Sequence, residues 1–246
     1  MVLLSLFHSL LLHLYSFKTQ MTQDEAKALV GRRAAEMVEA GMRVGLGTGS
    51  TSVMFIRALG ERVRGGLKIR CVASSESSAE LGRSLGMDVV TLEELPELDL
   101  YIDGADEVGP ELALIKGGGA ALLREKIVAS AAGKFVCVVD ESKIVAKLGR
   151  FPLPVEIIKM ALPLVERRLS DLGLNPTLRQ KKDGSGLLLT DEHNYILDCA
   201  CGVIEDPEET AAEIRNIVGV VEHGLFLGMA SLALVAGEGG VREMQP

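Results

Sequence analysis

Residues 42–52 read MRVGLGTGSTS, and this stretch decides the fold. An apolar strand runs into spaced glycines, and Ser50 and Thr51 then open a helix. Strand, glycine loop and helix start form the opening unit of a parallel sheet covered by helices. Bare glycines let a ligand approach the backbone, and the N–H groups of the new helix face an anion. The hydroxyls of Ser50 and Thr51 add donors. A nicotinamide fingerprint needs G-x-G-x-x-G, and here Ser50 fills the place of the third glycine. A Walker loop would end in Gly-Lys-Ser/Thr, which is absent. Two readings remain: a phosphate cradle at Thr48, Gly49, Ser50 and Thr51, or a tight turn with no ligand.

Working outward, Thr22 and Glu25 form a capping box, and apolar residues at helical spacing follow until Gly41. The segments LKIRCVASS, MDVVTL, LDLYIDG and KFVCVVD read as strands. Helices are predicted over 77–85 and 120–132. Strands that are apolar on both faces and alternate with helices predict an α/β, Rossmann-like open sheet with helices on both faces, built from residues 21–150 and 224–246. From Phe151 the grammar changes. FPLPVEIIK, LNPTLRQ, GLLLT and YILDCACG read as strands, with helices over 162–172 and from Asp206, where Pro207 takes the first position. Residues 151–223 are therefore expected to form a smaller inserted α+β subdomain, after which HGLFLGMASLALVAG returns to the first sheet. Residues 1–20 are apolar until Lys18 and lack both a basic n-region and an A-x-A site. They are read as an extension, disordered or not in the mature chain.

The chain has 246 residues and a net charge of -8, so it supplies no basic run for nucleic-acid phosphates. No membrane partner is expected and the location is read as cytoplasmic. Trp is absent and aromatics make up 4%, which argues against a base-stacking platform. Cys71, Cys137, Cys199 and Cys201 form no CxxC, and the histidines at 8, 13, 193 and 223 are scattered, so no metal site is legible. The cysteines read as reduced core residues.

DGADE, Asp103–Glu107, follows a strand end, where open α/β sheets bind ligands. Eight residues later comes KGGGAALLREK, Lys116–Lys126. Gly117, Gly118 and Gly119 cost backbone entropy, and such a run implies close approach to something. On a helical wheel Glu125 falls among Ala121, Leu122, Ala129 and Ala132, while Arg124, Lys126 and Ser130 point elsewhere. A carboxylate on an apolar face has its charged form disfavoured and its pKa raised, which suits a general base near neutral pH. A phosphate cradle, such a base, Lys116 and two aspartates suit proton transfer beside a carbonyl on a phosphorylated sugar. Two other readings use the same residues. A non-catalytic sugar-phosphate sensor would have no need of an acid on the alanine face. A nicotinamide-dependent oxidoreductase would use Glu76 as its ribose-binding acid.

GLGTGST, SSES, DGADE, KGGGAALLREK, ESK and FPLPVEII, in this order and spacing, make the chain from about Met21 to Gly237 similar to the type A ribose-5-phosphate isomerases. The resemblance implies interconversion of D-ribose 5-phosphate and D-ribulose 5-phosphate without metal or organic cofactor. It puts the catalytic base on Glu125 and substrate contacts on Thr48, Gly49, Ser50 and Thr51, on Asp103, Gly104, Ala105 and Asp106, and on Lys116, Gly117, Gly118 and Gly119. Lys143 and Lys27 complete the set, Lys27 reaching the phosphate. For that reaction Asp103 or Asp106 is expected to assist ring opening and Lys116 to stabilise the enediolate. The resemblance also implies a homodimer or homotetramer. The extension before Met21 and the tail EGGVREMQP depart from the family pattern.

Overall fold

The computed structural model describes residues 21–246, so the reading of residues 1–20 lies outside the described residues. The chain runs α1 (Gln23–Glu36), β1 (Arg43–Leu46), α2 (Ser50–Arg64), β2 (Arg70–Ala73), α3 (Glu76–Ser84), β3 (Asp88–Val89) and β4 (Leu100–Asp103). It continues through β5 (Glu107–Val108), β6 (Leu114–Ile115), α4 (Leu122–Ser130), β7 (Phe135–Asp140) and β8 (Leu153–Ile157). Then follow α5 (Leu162–Asp171), β9 (Pro176–Leu178), β10 (Tyr195–Cys199), α6 (Pro207–Arg215), β11 (Val220–His223), β12 (Leu225–Phe226), β13 (Leu232–Gly237) and β14 (Gly240–Met244). Both halves of the Thr22–Glu25 capping box are present at the start of α1.

The main sheet has the order β14-β13-β7-β4-β1-β2-β3, and every pairing is parallel except β13 with β14. Strand period two sorts its side chains onto two faces. Val44, Leu46, Leu100, Ile102, Val136 and Val138 pack under α1 and α2. Tyr101, Phe135, Cys137, Val139 and Val235 pack on the opposite side with Val128 and Ala129 of α4. The chain leaves β1 toward β2 and β3, then returns to place β4 on the other flank of β1. The carboxyl ends of β1 and β4 therefore form a topological switch point, where such sheets hold ligands.

A second sheet, β11-β8-β10-β9, is antiparallel and has its own core, with Val165 and Leu169 of α5 and Ala211 and Ile214 of α6. A short third sheet, β12-β6-β5, joins the two. No helix among the described residues is long and apolar enough to cross a membrane.

Three expectations need correction. GLLLT forms no strand: Leu187 makes one isolated bridge to Gln180, and Leu187 and Leu189 are exposed. Beyond that bridge and the bond from Leu188 N–H to the Arg179 carbonyl the pairing stops, and Thr190 N–H turns instead to the Asn194 carbonyl. The tail supplies β14, which covers the edge of β13. The 120–132 helix begins only at Leu122, because Ala120 takes a left-handed φ of 63° as the chain leaves the glycine run. Within HGLFLGMASLALVAG only β13 joins the main sheet, while β12 pairs with β6.

Candidate active site

The acids of DGADE each hold backbone. Asp103 ends β4 and is fully buried. Its Oδ1 accepts from the N–H groups of Thr48 and Gly104, both at 2.8 Å, and from Ser52 Oγ at 2.7 Å. Its Oδ2 accepts from Tyr101 Oη at 2.5 Å and Lys116 Nζ at 2.8 Å. Gly47 permits this approach, since a Cβ there would lie 2.2 Å from Asp103 Oδ1. Asp106 Oδ2 accepts from Gly118 N–H at 2.8 Å, and a Cβ on Gly118 would lie 2.6 Å from Asp106 Oδ1. The spacing of acids and glycines thus lets carboxylates bind loop amides at contact distance.

Glu107 is also fully buried. Its two oxygens accept from Gly149 N–H at 2.8 Å and Phe151 N–H at 2.7 Å, fixing the turn that leads into β8. Glu107→Leu strands both donors, at about 1–3 kcal/mol for each unsatisfied group. Denaturant unfolding is expected to register a loss of about 2–4 kcal/mol; a loss under 0.5 kcal/mol would contradict this role.

SSES, Ser74–Ser77, supports the glycine loop. Thr48 Oγ1 lies 2.8 Å from Ser74 Oγ and donates to Ser75 Oγ at 2.9 Å, and Ser78 Oγ donates to the Gly47 carbonyl at 2.7 Å. Helix α2 starts at Gly49 without a side-chain cap, leaving its first-turn N–H groups facing the cleft.

Glu125 sits in the first turn of α4 and is 3% exposed. Its Oε2 lies 3.3 Å from Lys116 Nζ and has no hydrogen-bond partner among the described residues. Burial pushes its carboxyl up to about 8; Lys116 opposes this, and Asp103 and Asp106 add to it. Burial pulls Lys116 down, but Asp103 and Glu125 outweigh it and the net direction is up. Lys116 also donates to the Gly104 carbonyl at 2.6 Å. The pairing leaves a charged ammonium beside a carboxyl that changes protonation near neutral pH, a combination able to move a proton and steady an oxyanion.

These groups border a cleft of about 120 Å³, below the roughly 300–1,000 Å³ typical of drug-sized ligands. It is lined by Thr48, Gly49, Ser50 and Thr51, by Gly104, Ala105 and Asp106, by Lys116, Gly117, Gly118 and Gly119, and by Glu125, Lys27 and Lys143. Asp103 does not line it. Gln23, which sequence reasoning missed, does; it stands four residues before Lys27 on the same helical face, which was the signal available.

Two further residues went unnoticed. Arg179 donates to the Gly117 carbonyl at 2.7 Å and pairs with Asp198, so the small sheet grips the glycine run. Ser52 is buried against Asp103.

Lys126 differs from its expected place on the charged face. It is 9% exposed and donates to Glu222 at 2.8 Å and to the His223 carbonyl at 2.7 Å. Its partners come from β11, nearly a hundred residues away, which no local wheel registers. Glu76, the acid that a dinucleotide site would use, is engaged by Arg124 at 2.7 Å. Among the described residues no group of three or more His, Cys, Asp or Glu side chains is arranged to hold a metal ion.

The chain matches, over residues 70–240, the family model described as ribose 5-phosphate isomerase A (phosphoriboisomerase A). The ribose-5-phosphate isomerase A of Agrobacterium fabrum is 48% identical over 229 residues, covering 92% of this chain and 99% of that one. That of Roseiflexus castenholzii is 52% identical over 216 residues, covering 87% and 92%. The solved ribose 5-phosphate isomerase A from Methanocaldococcus jannaschii aligns with a TM-score of 0.87 at 40% identity, covering 92% of this chain and all of that one. A D-ribose-5-phosphate isomerase in complex with phospho-erythronic acid aligns at a TM-score of 0.89 and 36% identity, with coverage of 92% and 100%.

Proposed function

The chain belongs to the ribose-5-phosphate isomerase A family, and from that premise we propose that its cleft interconverts D-ribose 5-phosphate and D-ribulose 5-phosphate through an enediolate. The observation that carries this reading is a buried carboxyl, Glu125, unpartnered at Oε2 and 3.3 Å from a buried ammonium, at the wall of a cleft that also holds an uncapped helix start.

The substrate phosphate takes the first-turn N–H groups of α2 and the hydroxyls of Ser50 and Thr51, with Lys27 and Lys143 supplying charge. Asp106 assists ring opening; it lines the cleft, whereas the five donors on Asp103 leave that group engaged. Glu125 takes the proton from C2 and returns it to C1, while Asp106 passes the O2 hydroxyl proton to O1. Lys116 neutralises charge on the enediolate oxygens in a site where water is largely excluded, so its electrostatic effect is strong. The relative solved with phospho-erythronic acid, a phosphorylated sugar acid, supports this choice of ligand class.

The division into a catalytic domain (21–150 and 224–246) and a small subdomain (151–223) belongs to the same reading, supported by the separate core around β8 and β10. So does assembly into a homodimer or homotetramer, supported by Ile158, Met160, Leu164 and Val218 exposed on the small subdomain.

Mixing the protein with ribose 5-phosphate alone is expected to raise ketose absorbance, before and after exhaustive chelation. A requirement for NAD, or activity lost on chelation and restored by added metal, would contradict the proposal.

A further inference from the structure

We propose that Tyr101 is a positioning residue for the isomerisation, acting through Asp103 to set how Lys116 is shared with Glu125. The proposal rests on the reading of Glu125 as base. Tyr101 and Asp103 are two residues apart on β4 and so point to the same face of the sheet. Oδ1 of Asp103 is occupied by Thr48, Gly104 and Ser52, which leaves Oδ2 to two donors, the Tyr101 hydroxyl at 2.5 Å and the Lys116 ammonium at 2.8 Å. The same ammonium reaches Glu125 Oε2 at 3.3 Å. Tyr101, Asp103, Lys116 and Glu125 are all at least 97% buried, so this chain of contacts operates where water screens little.

Two acids share one ammonium here. Every bit of charge that Tyr101 withdraws from Asp103 Oδ2 weakens that acid's hold on Lys116 and leaves more of the ammonium to Glu125. The tyrosine ring packs against Phe135 with centroids 5.0 Å apart, a contact that phenylalanine would make equally well. The hydroxyl is therefore the part whose purpose packing does not explain. Burial raises the Tyr101 pKa, with the Asp103 charge adding to it, so the hydroxyl stays a donor.

The other groups facing Glu125 are fixed from separate elements. Asp106 lies on the loop after β4 and is held by Gly118; Lys27 and Lys143 line the cleft from α1 and from the turn after β7; Cys137 of β7 stands near Lys116. Lys126, the next residue on α4, is turned to Glu222. None of them contacts Asp103 Oδ2, so removing the Tyr101 hydroxyl changes the donors on that oxygen alone; the hydroxyl's other neighbour, Ser74, keeps its own bonds to Thr48 and the Leu46 carbonyl.

The sign follows from the link. Without the hydroxyl, Asp103 draws Lys116 closer, Glu125 loses part of its stabilising charge, and its carboxylate becomes harder to form. A base works deprotonated, so activity should begin at higher pH. Tyr101→Phe is expected to move the acid midpoint of kcat/KM up by about 0.5–1 unit and to lower turnover at pH 7 about threefold to tenfold, at tenfold per unit. The KM for ribose 5-phosphate should stay within about twofold, because no phosphate contact changes. In the Asp103→Asn background the same substitution should cause no further movement of the midpoint. A midpoint that stays put or falls would overturn the proposal, as would an equal shift in the Asp103→Asn background. Glu125→Gln distinguishes the two levels. Normal turnover in that variant would overturn the base assignment and the relay together; loss of turnover with an unmoved Tyr101→Phe profile would overturn the relay alone.

Discussion

Glu125→Gln is expected to lower turnover by at least about 10²–10⁴-fold, the usual contribution of a positioned general base, while ribose 5-phosphate still binds. Glutamine keeps the shape of the side chain and its place beside Lys116, but it has no basic oxygen to accept the C2 proton. Ser50, Thr51, Lys27 and Lys143, the residues proposed to hold the phosphate, line the cleft from other elements, so the substitution should leave them in place. A fall in kcat with little change in KM is the signature of an interaction made in the transition state. The wild-type pH profile carries the same information. Burial raises Glu125 to about 8, so kcat/KM should climb with pH through that region and then level off. The variant should lack this limb. Near-normal turnover in the variant would show that another group takes the proton.

Lys116→Met should be nearly as damaging, and in two ways. Losing a preorganised cation at a developing oxyanion costs on the order of 10²–10³-fold in turnover. Breaking the buried pair also leaves Asp103 charged without a counterion, at about 3–5 kcal/mol of stability. The two losses are separable. Adding Asp103→Asn removes the stranded charge and should restore part of the stability without restoring turnover. Thermal unfolding and steady-state rates on the single and double variants check both. A double variant no more stable than Lys116→Met would contradict the pairing, and recovered turnover would contradict the catalytic role of the ammonium.

The sequence carried the sheet because its strands are apolar on both faces and its helices have regular caps and periodicity. Glu125 was legible for a related reason: one acid among alanines at helical spacing breaks a pattern that burial alone explains. The fate of Asp103 was not legible. Nothing in DGADE tells which acid turns inward, because that depends on Gly47 and Ser52, from the glycine loop and the helix it opens, and on Lys116, which reach it from two other parts of the chain. Lys126 was misplaced for the same cause, its partners lying on β11. Arg179 carries no motif, and its value comes only from the Gly117 carbonyl that the small sheet brings to it. Periodicity reports which face is buried; it does not report what long-range partner waits there.

Exchange at C2 tests the central claim apart from ring opening and product release. Ribose 5-phosphate is incubated in D2O and the C2 hydrogen followed by proton NMR. Wild-type protein should replace it with deuterium, and Glu125→Gln should do so at least about a hundredfold more slowly with the sugar phosphate still bound. Exchange at the wild-type rate in that variant would mean that Glu125 does not abstract the proton.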